Sequence, residues 1–163
     1  MSTPPVAELL SLAGRRALVT GASGGIGAVC GARLAEAGAE VICLAHRRSG
    51  DAEALAARLR SQGRVAEATA TDLSAPGAAE VLGARLGSVD LLLHAAARQD
   101  MRALAPSDEA AGEASFAHWQ GMLAANLSAS AALLAALAPR GLQAAVLVSS
   151  VEGAGPAPGH AAY

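Results

Sequence analysis

An apolar run at residues 17–19 leads straight into Thr20-Gly21-Ala22-Ser23-Gly24-Gly25-Ile26-Gly27, and this junction constrains the chain more than any other feature. Ile26, Val29, Cys30 and Leu34 then repeat at helical spacing, so the glycines sit where a strand turns sharply into a helix. The first N–H groups of such a helix have no partner inside it and readily face an anion. Gly21 is expected to allow the turn, and Gly25 to let backbone approach a phosphate without an intervening Cβ. Gly27 is expected to let the helix pack close to the strand. Ser23 and Ile26 belong to the same loop. Residues 15–48 therefore read as a strand–turn–helix–strand unit holding the pyrophosphate of a dinucleotide, with a plain βα turn as the simpler alternative.

The rest of the chain repeats the alternation. Apolar runs at 41–45, 65–70, 89–93 and 144–148 are continuous, as in parallel strands buried on both faces, the run at 65–70 being the weakest. Between them Leu55 and Leu59, then Val81, Leu82 and Leu86, mark helical faces. The longest such stripe is Phe116, Trp119, Leu123, Leu127, Leu134 and Leu137. Strands alternating with helices imply right-handed crossovers and an α/β fold, a doubly wound parallel sheet of the Rossmann type. Residues 98–115, charged and interrupted by Pro106 and Gly112, read as a long loop with one helical turn at most. Residues 1–13 form a lead-in loosened by Pro4 and Pro5, and 14–163 form the dinucleotide-binding domain.

A length of 163 residues suits one domain with its own core. The net charge of −2 offers no long-range attraction for nucleic acid or an anionic membrane. Cys30 and Cys43 lie in apolar surroundings, which suits buried thiols in a reducing cytosol better than a disulfide or a metal pair. No metal site is expected. The N-terminus, with two prolines and Glu8 ahead of a short apolar stretch, lacks the pattern of a signal peptide, and a cytoplasmic location is expected. Residues 116–139 carry no formal charge and are long enough to span a bilayer. Gln120, Asn126, Ser128, Ser130 and the many alanines fit a buried or interface helix better.

The end of the second strand bears on which dinucleotide is bound. A site for NAD usually places Asp or Glu there, on the ribose 2′-hydroxyl. Here that end reads Leu44-Ala45-His46-Arg47-Arg48, and Glu40 stands at the opposite end. Without a carboxylate nothing repels a 2′-phosphate, and an arginine adds a charge-assisted bond of about 1.5–3 kcal/mol, roughly ten- to 150-fold in affinity. NADP is therefore favoured over NAD, unless Arg47 and Arg48 are plain surface charges.

From about Leu12 to the last residue the chain is similar to the classical short-chain dehydrogenase/reductase family, with members like the 3-oxoacyl-carrier-protein reductases. Thr20-Gly21 through Gly27 matches the cofactor fingerprint of that family. Asp72-Leu73 resembles the pair whose acid meets the adenine amino group; a helix cap is the other reading of Asp72. Asn126 matches the helix asparagine that holds a water of the proton relay. Ser149-Ser150-Val151 ends the fifth strand as the family's serine motif does, and Tyr163 follows Ser150 at the family's interval of thirteen. His94-Ala95-Ala96-Ala97 stands where the family commonly has Asn-Asn-Ala-Gly. Ala95 and Ala96 still let a cofactor ribose pass, whereas His94 either replaces a lost amide or is structural. His118 and His160 read as surface residues. Gly21, Gly24 and Gly27 also satisfy the spacing of the family's extended branch, against which the short Ser150–Tyr163 interval argues.

The resemblance implies a sheet in the order 3-2-1-4-5, with the last strands of the full fold missing, and hydride transfer between nicotinamide and a carbonyl or alcohol substrate. Ser150 would bind the substrate oxygen and Tyr163 would carry its proton. The family's lysine, four residues after the tyrosine, lowers the tyrosine's pKa; this chain ends at Tyr163 and all of its basic residues are arginine. The expectation is a fragment or truncated product of an enzyme that is a homo-oligomer (dimer or tetramer) when complete. A non-catalytic dinucleotide-binding scaffold is the alternative.

Overall fold

The computed structural model describes residues 5–99 and 109–151. Each apolar run becomes a strand: β1 (Arg16–Thr20), β2 (Glu40–Ala45), β3 (Ala66–Ala70), β4 (Leu91–His94) and β5 (Ala144–Leu147). They form one sheet in the order β3-β2-β1-β4-β5. All four pairings are parallel, with Val19 opposite Cys43 and Leu93 across the two neighbours of β1. Helices α1 (Val6–Leu9), α2 (Gly25–Glu36), α3 (Ser49–Ser61), α4 (Ala78–Leu86), α5 (Glu109–Leu123) and α6 (Ala129–Leu137) complete the described elements. A π-helical turn, Ala124–Ser128, joins α5 to α6, and a 3-10 turn, Ala138–Arg140, follows.

Strand alternation divides the core in two. Ala17, Val19, Val41 and Cys43 face α2 and α3, where they meet Ala35, Leu55 and Leu59. Leu18, Ile42, Leu44 and Leu92 face the other way, onto Leu82, Leu133 and Leu137 of α4 and α6. The doubly wound arrangement follows directly from this split. β1 and β2 are buried on both sides, but β3 is only partly buried and β5 is exposed throughout. Continuous burial belongs to β1 and β2; β3 and β5 are the edges of this sheet, and β4, next to β5, alternates between buried and partly buried residues.

The inward faces of α2, α4, α5 and α6 differ from those expected. α2 buries Gly27, Gly31 and Ala35, leaving Ile26 and Val29 exposed. The expected stripe was one position out of phase, because the helix lies close to the sheet on its smallest residues. In α4, Leu82 is buried as expected, together with Ala79 and Gly83, while Val81 is exposed. In the last helix pair His118, Met122, Ala129 and Leu133 point inward, and Phe116 and Leu127 point outward. His118 is therefore a buried residue, not a surface one; it shares a helical face with Met122. Residues 116–137 are apolar on every side, so periodicity offered two faces, and the π turn rotates the second half relative to the first. Helix α5 also begins at Glu109, inside the stretch expected to be a loop. Its Gly112 costs about 1 kcal/mol relative to alanine, which the rest of a helix of this length absorbs.

The edge of the sheet away from the glycine turn is fastened by charge. Asp90 Oδ2 accepts the backbone N–H of Arg16 at 2.8 Å, and Arg16 in turn donates to the carbonyls of Leu86 and Ser88 at 2.8 and 2.7 Å. Its guanidinium also meets Glu40 at 3.1 Å. These bonds tie β1, β2, β4 and the end of α4 together, and leave the opposite, carboxyl-terminal edge free to carry a site.

Candidate functional site

Gly21 leaves β1 with φ +69, a left-handed conformation that favours glycine. A Cβ there would stand 2.8 Å from the backbone of Ala95 and Ala96, so the turn presses on the end of β4. A Cβ at Gly27 would collide with the carbonyl of Gly21; this glycine packs on the turn itself rather than on the strand. Gly25 has nothing within 4 Å of a Cβ position and opens on free space. Among the described residues the N–H groups of Gly25, Ile26 and Gly27 have no backbone acceptor. Three free donors at a helix N-terminus, with no side-chain cap on Gly24, form a cradle for an anion.

Beyond the turn lie the ends of β2 and β3. His46, Arg47 and Arg48 are exposed there. Arg48 is held by Asp51 at 3.0 Å, one turn into α3. Arg47 has no ion pair among the described residues. Asp72 does not cap α4, whose N-cap is Gly77. Its Oδ1 instead accepts the hydroxyl and the N–H of Ser74, at 2.6 and 3.0 Å. His46 Nδ1 lies 3.7 Å from the same oxygen. The Ser74 hydroxyl, aided by the Ser74 N–H and the nearby His46 and Arg47, holds the Asp72 carboxyl below the usual range against the opposing effect of burial. Asp72 is thus ionised and oriented at neutral pH, with Oδ2 outside these bonds.

The end of β4 closes the other half. His94 is 3% exposed, and its Nδ1 is 2.8 Å from the Thr20 hydroxyl. That hydroxyl also accepts the N–H of Ala96 at 3.1 Å. Asn126, within the π turn, accepts the N–H of Arg98 at 2.7 Å and donates to its carbonyl at 2.9 Å. The amide of Asn126 therefore pins the chain leaving β4, while its backbone carbonyl accepts the Ser130 hydroxyl at 3.3 Å. Ser150 is half-buried, just after β5, which places it on the same carboxyl-terminal edge. Tyr163 and His160 lie outside the described residues.

These strand ends enclose a cavity of about 500 Å³. It gathers most of the expected site residues: Gly21, Ser23, His46, Arg47, Arg48, Asp72, Leu73, Ala95 and Ala96 all line it. Gly25, Ile26, Gly27, Asn126 and Ser150 do not. Gly25 borders the open space above α2, and Ile26 points to solvent at 59% exposure. The lining also includes Thr71, Ser74, Gly121 and Ala125, which the sequence reading passed over. Gly121 and Ala125 are small residues one turn apart, just before Asn126, and that spacing was the available signal. The residues present fit a dinucleotide: free N–H donors for a pyrophosphate, an ionised acid beyond β3, and a small-residue wall at Ala95 and Ala96 for a ribose.

The crevice lies outside the carboxyl ends of β1 and β4, where the strand order reverses. Over residues 15–163 the sequence matches the short chain dehydrogenase family. The chain belongs to that family. It is 35% identical over 137 residues to a D-threitol dehydrogenase of Mycolicibacterium smegmatis, taking in 82% of this chain and 50% of that protein. A 3-oxoacyl (acyl-carrier-protein) reductase from Agrobacterium tumefaciens, solved with NADP bound, superposes with a TM-score of 0.71 at 32% identity, covering 84% of this chain and 51% of that one. A metagenomic short-chain oxidoreductase in complex with NADP gives a TM-score of 0.79 at 30% identity, over 93% of this chain and 69% of the other. The chain spans about half the length of the curated relatives it matches. The glycine turn, Asp72 after β3 and His94 at the end of β4 all lie within the matched residues.

Proposed function

We propose that this chain is the cofactor-binding half of an NADP-dependent oxidoreductase that exchanges a hydride with a small carbonyl or alcohol substrate. Residues 14–163 form the nucleotide-binding domain of that enzyme, a cytoplasmic homo-oligomer. The observation that carries the reading is the row of N–H donors at Gly25–Gly27, without backbone acceptors among the described residues, directly after Ser23 and Gly24, which line the same cleft as Arg47. The helix N-terminus holds the pyrophosphate, and Arg47 meets a 2′-phosphate at the end of β2. Arg48, committed to Asp51, contributes field rather than contact. Asp72 Oδ2 accepts from the adenine amino group, and Leu73 lies beside it in the cleft wall. When bound, the cofactor would give a hydride as NADPH or accept one as NADP+. Ser150 orients the substrate oxygen, Tyr163 holds and moves its proton, and Asn126 keeps the chain after β4 in place for both. NADP complexes of the related acyl-carrier-protein reductase and metagenomic oxidoreductase support the choice of cofactor.

The test is carbonyl reduction by NADPH with the protein carried through the full length of its relatives, which is expected to have a lysine four residues after Tyr163. Ser150→Ala should lower kcat by about 10²–10³-fold with NADPH affinity retained, the range for one lost transition-state hydrogen bond. Turnover insensitive to that change would overturn the assignment of Ser150. Tight NADPH binding without turnover of any ketone would favour the scaffold alternative.

A further inference from the structure

We propose that His46 takes up a proton when a 2′-phosphate enters the cleft, which makes it a specificity-determining residue whose preference for NADPH over NADH grows as the pH falls from about 8 to about 6.5. The inference rests on the dinucleotide reading above and adds how that site responds to protons. His46 is the first residue after β2, and it lines the cavity together with Arg47, Arg48 and Asp72. Its side chain is 49% exposed, so both a ligand and a proton from water can reach it. Its Nδ1 stands 3.7 Å from Asp72 Oδ1, within reach of an ion pair and beyond a hydrogen bond. That oxygen is already engaged by the hydroxyl and the N–H of Ser74. Attraction between the two therefore depends on charge on the ring, and imidazole is the side chain that gains its charge between about pH 8 and pH 5.

The charges around the ring decide when that happens. Asp72 follows β3, while Arg47 and Arg48 follow His46 itself. Arg48 is committed to Asp51 of α3 at 3.0 Å. Arg85 of α4 turns to the hydroxyls of Thr69 and Thr71, at 2.6 and 3.4 Å. The glycine turn carries no charged residue between Thr20 and Gly27. His94 and Arg98 line the cavity from β4 and beyond it, two strand spacings or roughly 10 Å from β2. The Asp72 carboxyl, held ionised first by the Ser74 hydroxyl, also feels the charges of His46 and Arg47, so the three groups act on one another. Beside the ring one carboxylate is thus set against one guanidinium. A 2′-phosphate, with its last pKa near 6, brings nearly two negative charges at neutral pH. Held by Arg47, it outweighs that cation and leaves the ring between two anions. An opposite charge within about 4–6 Å favours the charged form of a titrating group. A proton from the buffer then restores the balance, and the imidazolium gives the phosphate a charge-assisted bond. NADH presents only a hydroxyl at that place, so nothing new draws a proton onto His46.

Calorimetric titration of NADPH and of NADH into the 163-residue chain, in two buffers of different ionisation heat, counts the protons exchanged on binding. A ten-fold gain in proton affinity is the low end for a new opposite charge at this range. It corresponds to about 0.4 proton taken up with NADPH near pH 7, and none with NADH. The NADPH Kd should fall about three-fold between pH 8 and pH 6.5, while that of NADH stays level. In His46→Gln the uptake should turn into a release of about 0.1 proton, as the bound phosphate sheds its own last proton. A histidine that only shapes the strand end would leave the sign of that exchange unmoved. NADPH binding with no more uptake than NADH, or uptake that survives in His46→Gln, would overturn the proposal and leave the dinucleotide reading standing. Failure of the wild-type chain to bind either cofactor would overturn both.

Discussion

At the scale of single residues, burial separates groups that look alike in sequence. Cys43 is fully buried in β2, and loss of hydration pushes its thiol up to about 11. Cys30 is half-exposed on α2, so the expectation of two buried thiols holds for Cys43 alone. A maleimide at neutral pH should modify Cys30 and leave Cys43 untouched until the chain unfolds; labelling of both in the folded protein would contradict the packing of β2. His94 sets a second contrast. Burial lowers its imidazole below the ordinary value of about 6.5, so between the two values the unfolded chain binds the proton and the folded chain does not. The stability contributed by neutral His94 is full above about pH 6.5 and is lost as the pH falls below that value. Melting temperature should therefore decline from about pH 6.5 downward, and His94→Asn should flatten that decline. Asp72, held low first by the Ser74 hydroxyl, and Asp90, held low first by the Arg16 N–H, act in a lower window. Their contribution is present above the ordinary carboxylate value near 3.9 and is lost as the pH falls through their lower folded values, in wild type and variant alike.

At the scale of elements, the glycines of the turn and of α2 differ in what surrounds them. A Cβ at Gly27 meets the Gly21 carbonyl, whereas a Cβ at Gly25 meets nothing. Gly27→Ala should thus cost about 1–3 kcal/mol of stability, several degrees in melting temperature. Gly25→Ala should leave melting unchanged while weakening dinucleotide binding. A loss of stability at Gly25, or none at Gly27, would reverse these roles. The same turn shows why the motif was legible and its packing was not. The order Thr20-Gly21 to Gly27 after an apolar run specified a turn, and φ +69 at Gly21 favours glycine there. The face that α2 buries could not be read from Ile26, Val29, Cys30 and Leu34, because close approach selects Gly27, Gly31 and Ala35 instead. In α5 and α6 an all-round apolar composition and a π turn hid the phase altogether. Asn126 was legible as a special position, but its clamp on Arg98 depends on where the chain after β4 passes, which no local pattern records.

At the scale of the molecule, the sheet has one fastened edge and one receptive edge. Arg16 and Asp90 bind the strand starts together, and the strand ends carry the cavity. Helix Phe116–Arg140 is long and apolar enough to cross a membrane by length and composition, and only 28% of its most apolar window is buried. β5 is exposed along its whole length. The chain spans about half the length of the curated relatives it matches.

The proposed preference for a 2′-phosphate is open to a direct titration. NADPH and NADH are each added to the chain and to its Arg47→Ala variant, and binding is followed by nicotinamide fluorescence. NADPH should bind roughly ten- to 150-fold more tightly than NADH, and Arg47→Ala should remove most of that difference without weakening NADH. Equal affinity for the two cofactors, or a preference untouched by Arg47→Ala, would contradict the account.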